Sequence, residues 1–116
     1  MRPAVARRAA DAAKGEEAFA KCKACHTIDK GGKHRVGPNL HGVVGRKAGS
    51  AEGYKYSKGM HDAGLTWDEA TLDKYLTKPK DVVPKTKMAF AGIKKADERA
   101  DLIAFLKANG NYRRSP

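Results

Sequence analysis

Apolar positions recur at helical spacing in three stretches of the chain, separated by runs with no period. The first stretch covers residues 11–25. Ala12, Ala13, Ala18 and Ala20 favour helix there, and Phe19 is an apolar anchor. Gly15 lies on the same face as Phe19. A glycine inside a helix costs about 1 kcal/mol relative to alanine, so either another backbone comes close at Gly15 or the helix starts just after it. The second stretch opens on Thr66-Trp67-Asp68-Glu69, a capping-box pattern, and places Leu72, Tyr75 and Leu76 on one face before Pro79 stops it. The third runs from about 97 to 109. Asp97, Glu98 and Asp101 lie in its first turns, Leu102, Phe105, Leu106 and Asn109 share a face, and Asn109-Gly110 is the stop. Strand-like alternation is absent, so the predicted class is all-α.

Between these stretches the chain reads as loop. Residues 31–59 carry eight glycines together with Pro38 and Asn39, and residues 79–92 carry Pro79 and Pro84. Loops this long in a compact domain usually serve function, and a chain wrapped around a cofactor would explain them. The 116 residues fit one domain, expected over 11–110, with a basic, Ala-rich N-terminal tail at 1–10 and a C-terminal tail at 111–116. Aromatic residues make up only 7 % of the chain. The core of so small a domain is thin, and a large apolar cofactor would fill it. No apolar run suffices for a membrane span or a signal-peptide core.

The formal charge is +11, which implies an acidic partner: nucleic acid, an anionic membrane or an acidic protein surface. Two cysteines, Cys22 and Cys25, are too close in sequence to staple a fold. They belong to Cys22-Lys23-Ala24-Cys25-His26, the Cys-x-x-Cys-His pattern of haem attachment. On a helix, positions three and four apart share a face. Two thiols can then add to the vinyl groups along one haem edge, leaving the His26 imidazole aimed at the iron. A thioredoxin-like dithiol would need the motif after a buried strand, whereas the residues before Cys22 are helical. A structural zinc site would need four ligands, and His34, His41 and His61 could complete one only at unusual spacings. For a sixth iron ligand the residues alone leave Met60, Met88, His34, His41 and His61 open. Met88 is modestly favoured because it lies in a proline-containing loop rather than on a helix face.

From Gly15 to Asn109 the sequence resembles class I cytochrome c, including mitochondrial cytochrome c and its soluble bacterial relatives. The resemblance rests on Gly15 and Phe19, Cys22-Lys23-Ala24-Cys25-His26 and Gly37-Pro38-Asn39-Leu40-His41-Gly42. It continues through Gly45-Arg46-Lys47-Ala48-Gly49, Tyr54-Lys55-Tyr56-Ser57, Leu65-Thr66-Trp67, Tyr75-Leu76, Thr86-Lys87-Met88-Ala89-Phe90-Ala91-Gly92 and the final helix. It implies a small cytochrome c fold, three main helices with long loops around one haem c bound through Cys22 and Cys25. It further implies His26 and Met88 as axial ligands and the Pro38 carbonyl as acceptor for the far nitrogen of His26. Arg46, Tyr56 and Trp67 would hold the haem propionates. Tyr75 and Thr86 would tune the Met88 side, where Phe90 also lies, and Gly15 and Phe19 would pack around Phe105. Two positions depart from the family pattern: Met60 stands where mitochondrial members carry Asn, and Lys85 where the family usually has Gly.

With both axial positions filled, no open site remains for substrate, which argues for a monomeric one-electron carrier and against an enzyme; peroxidase chemistry would require displacement of Met88. Docking would use Lys21, Arg35, Lys80, Lys87, Lys94 and Lys95 against acidic redox partners, a quinol–cytochrome c oxidoreductase as donor and a terminal oxidase or photosynthetic reaction centre as acceptor. Nucleic-acid binding has only the charge in its favour, with no recognition motif. Haem c attachment is normally completed outside the cytoplasm, so the expected location is the periplasm, with the mitochondrial intermembrane space as the alternative.

Overall fold

The computed structural model describes residues 10–51, 53–84, 86, 88 and 90–110. The expected tails, apart from Ala10, and the positions Lys85 and Lys87 lie outside the described residues. The helices in chain order are α1 (Ala12–Phe19), α2 (Lys58–His61), α3 (Glu69–Thr77), α4 (Pro79–Val82) and α5 (Ala96–Ala108). No strand occurs among the described residues; one isolated antiparallel bridge joins Lys47 and Thr66.

α1 starts where the Asp11 carboxylate accepts the N–H groups of Ala13 and Lys14. It is shorter than its alanine content predicts. After Phe19 the backbone tightens, with Lys21 N–H donating to Ala18 O at 3.1 Å and Cys22 N–H to Phe19 O at 2.7 Å. Gly15 sits inside α1, which settles the choice at that position in favour of close approach. A Cβ there would fall 1.9 Å from the Asp101 carbonyl oxygen of α5. The contact between α1 and α5 is the most extensive between any two helices. Phe19 and Leu102 are each 1 % exposed, and the rings of Phe19 and Phe105 lie 5.3 Å apart. Burying an apolar side chain of this size contributes about 1.5–3 kcal/mol.

α3 is capped by Asp68, whose carboxylate accepts the Thr71 N–H, and not by Thr66. Thr66 is committed to the bridge with Lys47, while Trp67 exchanges backbone bonds with Gly45 and Arg46. Helical geometry therefore begins two residues later than the capping-box pattern suggests. Pro79 does follow the end of α3, but it also opens α4 as its first residue, where its fixed φ and missing N–H are no penalty. The loop expected over 79–92 thus starts with a helical turn, and the loop over 31–59 ends in another, α2, capped by Ser57. Asn109 ends α5, its side-chain amide donating to Phe105 O at 2.8 Å.

The helices frame a core in which Trp67, Leu72, Tyr75 and Leu76 meet Val83, Ile93, Leu102, Ile103 and Leu106. The long loops are laced to this frame by backbone bonds. Gly42 N–H donates to Asn109 O at 2.9 Å, Ala48 N–H to Leu65 O at 2.8 Å and Ile93 N–H to Leu76 O at 2.7 Å.

Candidate functional site

The Cys-x-x-Cys-His segment is one helical turn beyond α1, closed by His26 N–H donating to Cys22 O at 2.9 Å and Cys25 N–H to Cys22 O at 3.0 Å. It keeps the spacing expected of a helix although the regular helix has ended. Both thiols are free and half-buried. Burial, reinforced by Cys25 and opposed by Lys21, pushes the Cys22 thiol up to about 11. Among the described residues no three His, Cys, Asp or Glu side chains group as a metal-ion site.

His26 is oriented from two directions. Its Nδ1 lies 2.7 Å from the carbonyl oxygen of Pro38, which accepts the ring N–H and leaves Nε2 as the ring nitrogen that could bind a metal. Gly37 packs flat on the ring: a Cβ at that position would lie 2.3 Å from His26 Cε1. Burial lowers the His26 pKa, and the Pro38 bond partly opposes it, so the neutral imidazole that a metal requires is favoured.

A second group forms around Met88. The Tyr75 and Thr86 hydroxyls are 3.0 Å apart, the Tyr75 hydroxyl lies 4.0 Å from Met88 Sδ, and Met88 N–H donates to Thr86 Oγ1 at 3.2 Å. The Trp67 ring packs on Tyr75 with centroids 4.8 Å apart. Phe90 is half-buried against the core. Met60, at the position where the family comparison expected a polar residue, is half-buried against the same core.

The residues expected around the propionates are found in separate bonds. Arg46, desolvated enough to lower its pKa, donates to His41 O at 3.1 Å and Asn39 O at 3.4 Å. The Tyr56 hydroxyl accepts Ala51 N–H at 2.9 Å, and Trp67 is buried. Of the expected docking residues, Arg35, Lys80, Lys94 and Lys95 are exposed, while Lys21 is paired with Glu98 at 2.8 Å.

Asn39 and Tyr54 have roles that the sequence did not disclose. Asn39 donates from its side chain to Thr27 Oγ1 at 2.7 Å and Asp29 O at 2.9 Å, and its backbone N–H donates to His34 Nδ1 at 3.0 Å. It knits loop 27–39 behind Pro38. The only advance signal was the turn-forming Gly37-Pro38-Asn39 triplet. Tyr54 donates to the Val36 carbonyl, and nothing in the local pattern announced that bond.

The donor set fits a covalently bound haem: two unpaired thiols on one turn, an imidazole with its far nitrogen anchored, and a thioether beside a hydroxyl donor. The cytochrome c family profile matches residues 12–109. The chain is 57 % identical over 98 residues to cytochrome c2 of Rhodomicrobium vannielii, covering 84 % of this chain and 78 % of that protein. It is 54 % identical over 100 residues to cytochrome c of Chlamydomonas reinhardtii, covering 85 % and 89 %. The solved structure of cytochrome cH from Methylobacterium extorquens superposes with a TM-score of 0.80 at 52 % identity, covering 84 % of this chain and 98 % of that one. The chain belongs to the cytochrome c family, as a class I c-type cytochrome that carries covalently attached haem c and transfers electrons rather than acting as an enzyme.

Proposed function

We propose that this cytochrome shuttles single electrons on a haem whose iron would be held by His26 and Met88 and which would be attached through Cys22 and Cys25, all within one domain over residues 11–110. The observation that carries this reading is the bond of His26 Nδ1 to the Pro38 carbonyl on a turn that also presents both thiols. When bound there, the haem supplies an iron that changes charge by one electron. The chain's part is to keep the change small in its structural consequences. Pro38 and Gly37 fix the imidazole plane. Tyr75, bonded to Thr86, presents its hydroxyl to the Met88 sulfur. A thioether ligand paired with histidine favours the reduced state relative to harder ligands. Arg46, Tyr56 and Trp67 would supply donors for the propionates, whose burial would otherwise cost several kcal/mol each, on the order seen for unpaired buried ions.

The partners are acidic redox proteins, a quinol–cytochrome c oxidoreductase as donor and a terminal oxidase or reaction centre as acceptor. They would be met through Lys21, Arg35, Lys80, Lys87, Lys94 and Lys95. The charge of +11 supports this choice. No helix among the described residues is long and apolar enough to cross a membrane. The bacterial relative named cytochrome c2 supports the periplasm as location, and the relatives named cytochrome c fit the intermembrane space as the alternative.

A visible spectrum of the oxidised and dithionite-reduced protein tests the reading. Sharp reduced α and β bands with the weak far-red band of Met–ferric ligation are expected. A c-type spectrum without the far-red band would remove Met88 from the ligand set, and no haem in a matured preparation would overturn the whole assignment.

A further inference from the structure

We propose that Tyr54 is a positioning residue for the His26 side of the site, acting as a latch on the strip of chain that orients the imidazole. The proposal rests on the reading of His26 as an axial ligand. The Tyr54 hydroxyl donates to the Val36 carbonyl at 2.5 Å, joining loop 50–57 to loop 31–37. Val36 is 76 % exposed, so it does little to anchor its own segment by packing, and the hold on that residue is through its carbonyl. The neighbouring Gly37 is the residue packed on the His26 ring, and its N–H donates to Cys25 O at 2.6 Å. The Gly37 carbonyl in turn accepts Arg35 N–H at 2.9 Å. One residue further, Pro38 accepts the His26 ring N–H. Tyr54 thus grips the chain two residues ahead of the carbonyl that fixes the ligand.

Tyr54 is itself held in place. Its ring meets Tyr56 edge-on with centroids 4.8 Å apart and His34 at 5.5 Å. The hydroxyl is therefore delivered by a braced ring rather than by a free side chain. A hydrogen bond from a ligating imidazole to a carbonyl raises ligand basicity and weakens steeply with misalignment. Releasing Val36 lets the strip from Val36 to Pro38 drift, weakens the Pro38 bond and leaves the imidazole less electron-rich. The oxidised state then loses stabilisation, and the reduction potential rises.

The test is Tyr54→Phe in the haem-loaded protein, which keeps both ring contacts and removes only the hydroxyl. The reduction equilibrium constant should rise about two- to threefold, a shift of about 20–30 mV for a one-electron couple. Amide hydrogen exchange at Arg35 and Gly37 should quicken about tenfold while the amides of α5 keep their rates, the pattern of a local opening. An unchanged potential, or α5 amides that quicken as much as Arg35 and Gly37, overturns the latch and leaves the carrier reading intact. A matured wild-type protein without haem overturns both.

Discussion

Gly15 and Asp101 meet backbone to backbone: a methyl group on Gly15 would lie 1.9 Å from the Asp101 carbonyl oxygen and 2.7 Å from Phe105 Cβ. Neither neighbour is the end of a flexible side chain, so the helices themselves would have to part. Asp101 is also 5 % exposed and accepts Asp11 N–H at 2.8 Å, which ties the start of α1 to the same point. Gly15→Ala gains about 1 kcal/mol of helix propensity. Overpacking typically costs about 1–3 kcal/mol, and a contact this short against backbone belongs at or beyond the upper end. We expect a net loss of about 2 kcal/mol in denaturant unfolding, read as a lower midpoint at unchanged m-value. A midpoint equal to that of the wild type would show that α1 and α5 are not held at this crossing.

Tyr75 links two observables through one hydroxyl. With Met88 ligating the iron as proposed, donation toward its Sδ would draw electron density from the sulfur and disfavour the more highly charged oxidised site. Tyr75→Phe should lower the reduction potential by about 20–60 mV, equivalent to about two- to tenfold in the equilibrium constant. The pH dependence follows from the same burial. Desolvation raises the Tyr75 pKa, with the Thr86 bond partly opposing the rise. The folded chain therefore holds this proton more tightly than the unfolded chain. The resulting stability is fully present below the ordinary phenol pKa of about 10 and is lost as pH rises toward the raised folded value. Unfolding titrations from neutral pH to about 11 should show a steeper decline for the wild type than for Tyr75→Phe. Parallel curves would mean that the phenol titrates alike in both states.

The periodicity of Leu72, Tyr75 and Leu76 on α3, and of Leu102 and Leu106 on α5, was legible because a helix records its buried face at fixed spacing. The attachment turn was legible for a different reason: its chemistry needs two thiols and an imidazole at one spacing. The ends of elements were less so. Thr66 reads as a cap until its bridge to Lys47, nineteen positions away in sequence, takes it out of the helix. The single turns α2 and α4 are too short to display a period. Bonds between loops were hidden altogether. The hold of Tyr54 on Val36 spans eighteen positions, and a phenylalanine at 54 would have left the same local pattern. The bond of His26 to Pro38 came into view only through family resemblance, since a proline carbonyl carries no mark in the sequence.

Arg99 closes the chain that follows Met88. Its Nε donates to Asp73 Oδ1 at 2.7 Å, and its Nη1 donates to Ile93 O and Lys94 O, each at 2.9 Å. The Arg99 side chain is 12 % exposed and that of Asp73 46 %, so the two partners are unequal. Removing the arginine strands two carbonyls and a carboxylate, whereas removing the aspartate leaves the guanidinium its carbonyl bonds. Hydrogen bonds to charged groups contribute about 1.5–3 kcal/mol. We expect Arg99→Ala to cost about 2–4 kcal/mol on that basis. Asp73→Ala should cost about 1 kcal/mol, as for a half-exposed ion pair. Thermal or denaturant unfolding of the two variants decides it. Equal losses would show that the ion pair, rather than the carbonyl contacts, carries the stability.

The excess of positive charge makes a prediction about rate rather than affinity. Long-range attraction between a basic carrier and an acidic partner speeds encounter and is screened over the Debye length, which shrinks from about 30 Å at 0.01 M to about 8 Å at 0.15 M salt. The association rate with a purified cytochrome c oxidase should fall steeply between about 10 and 300 mM salt. Neutralising Lys80 or Lys94, both exposed, should lower the rate at low salt and flatten the slope, with little change at high salt. Lys21 should have a smaller effect, because Glu98 already neutralises much of its charge at 2.8 Å. A rate insensitive to salt over that range would remove electrostatic steering from the docking step, and a Lys21 variant as slow as the Lys80 variant would show that the Glu98 pair opens on encounter.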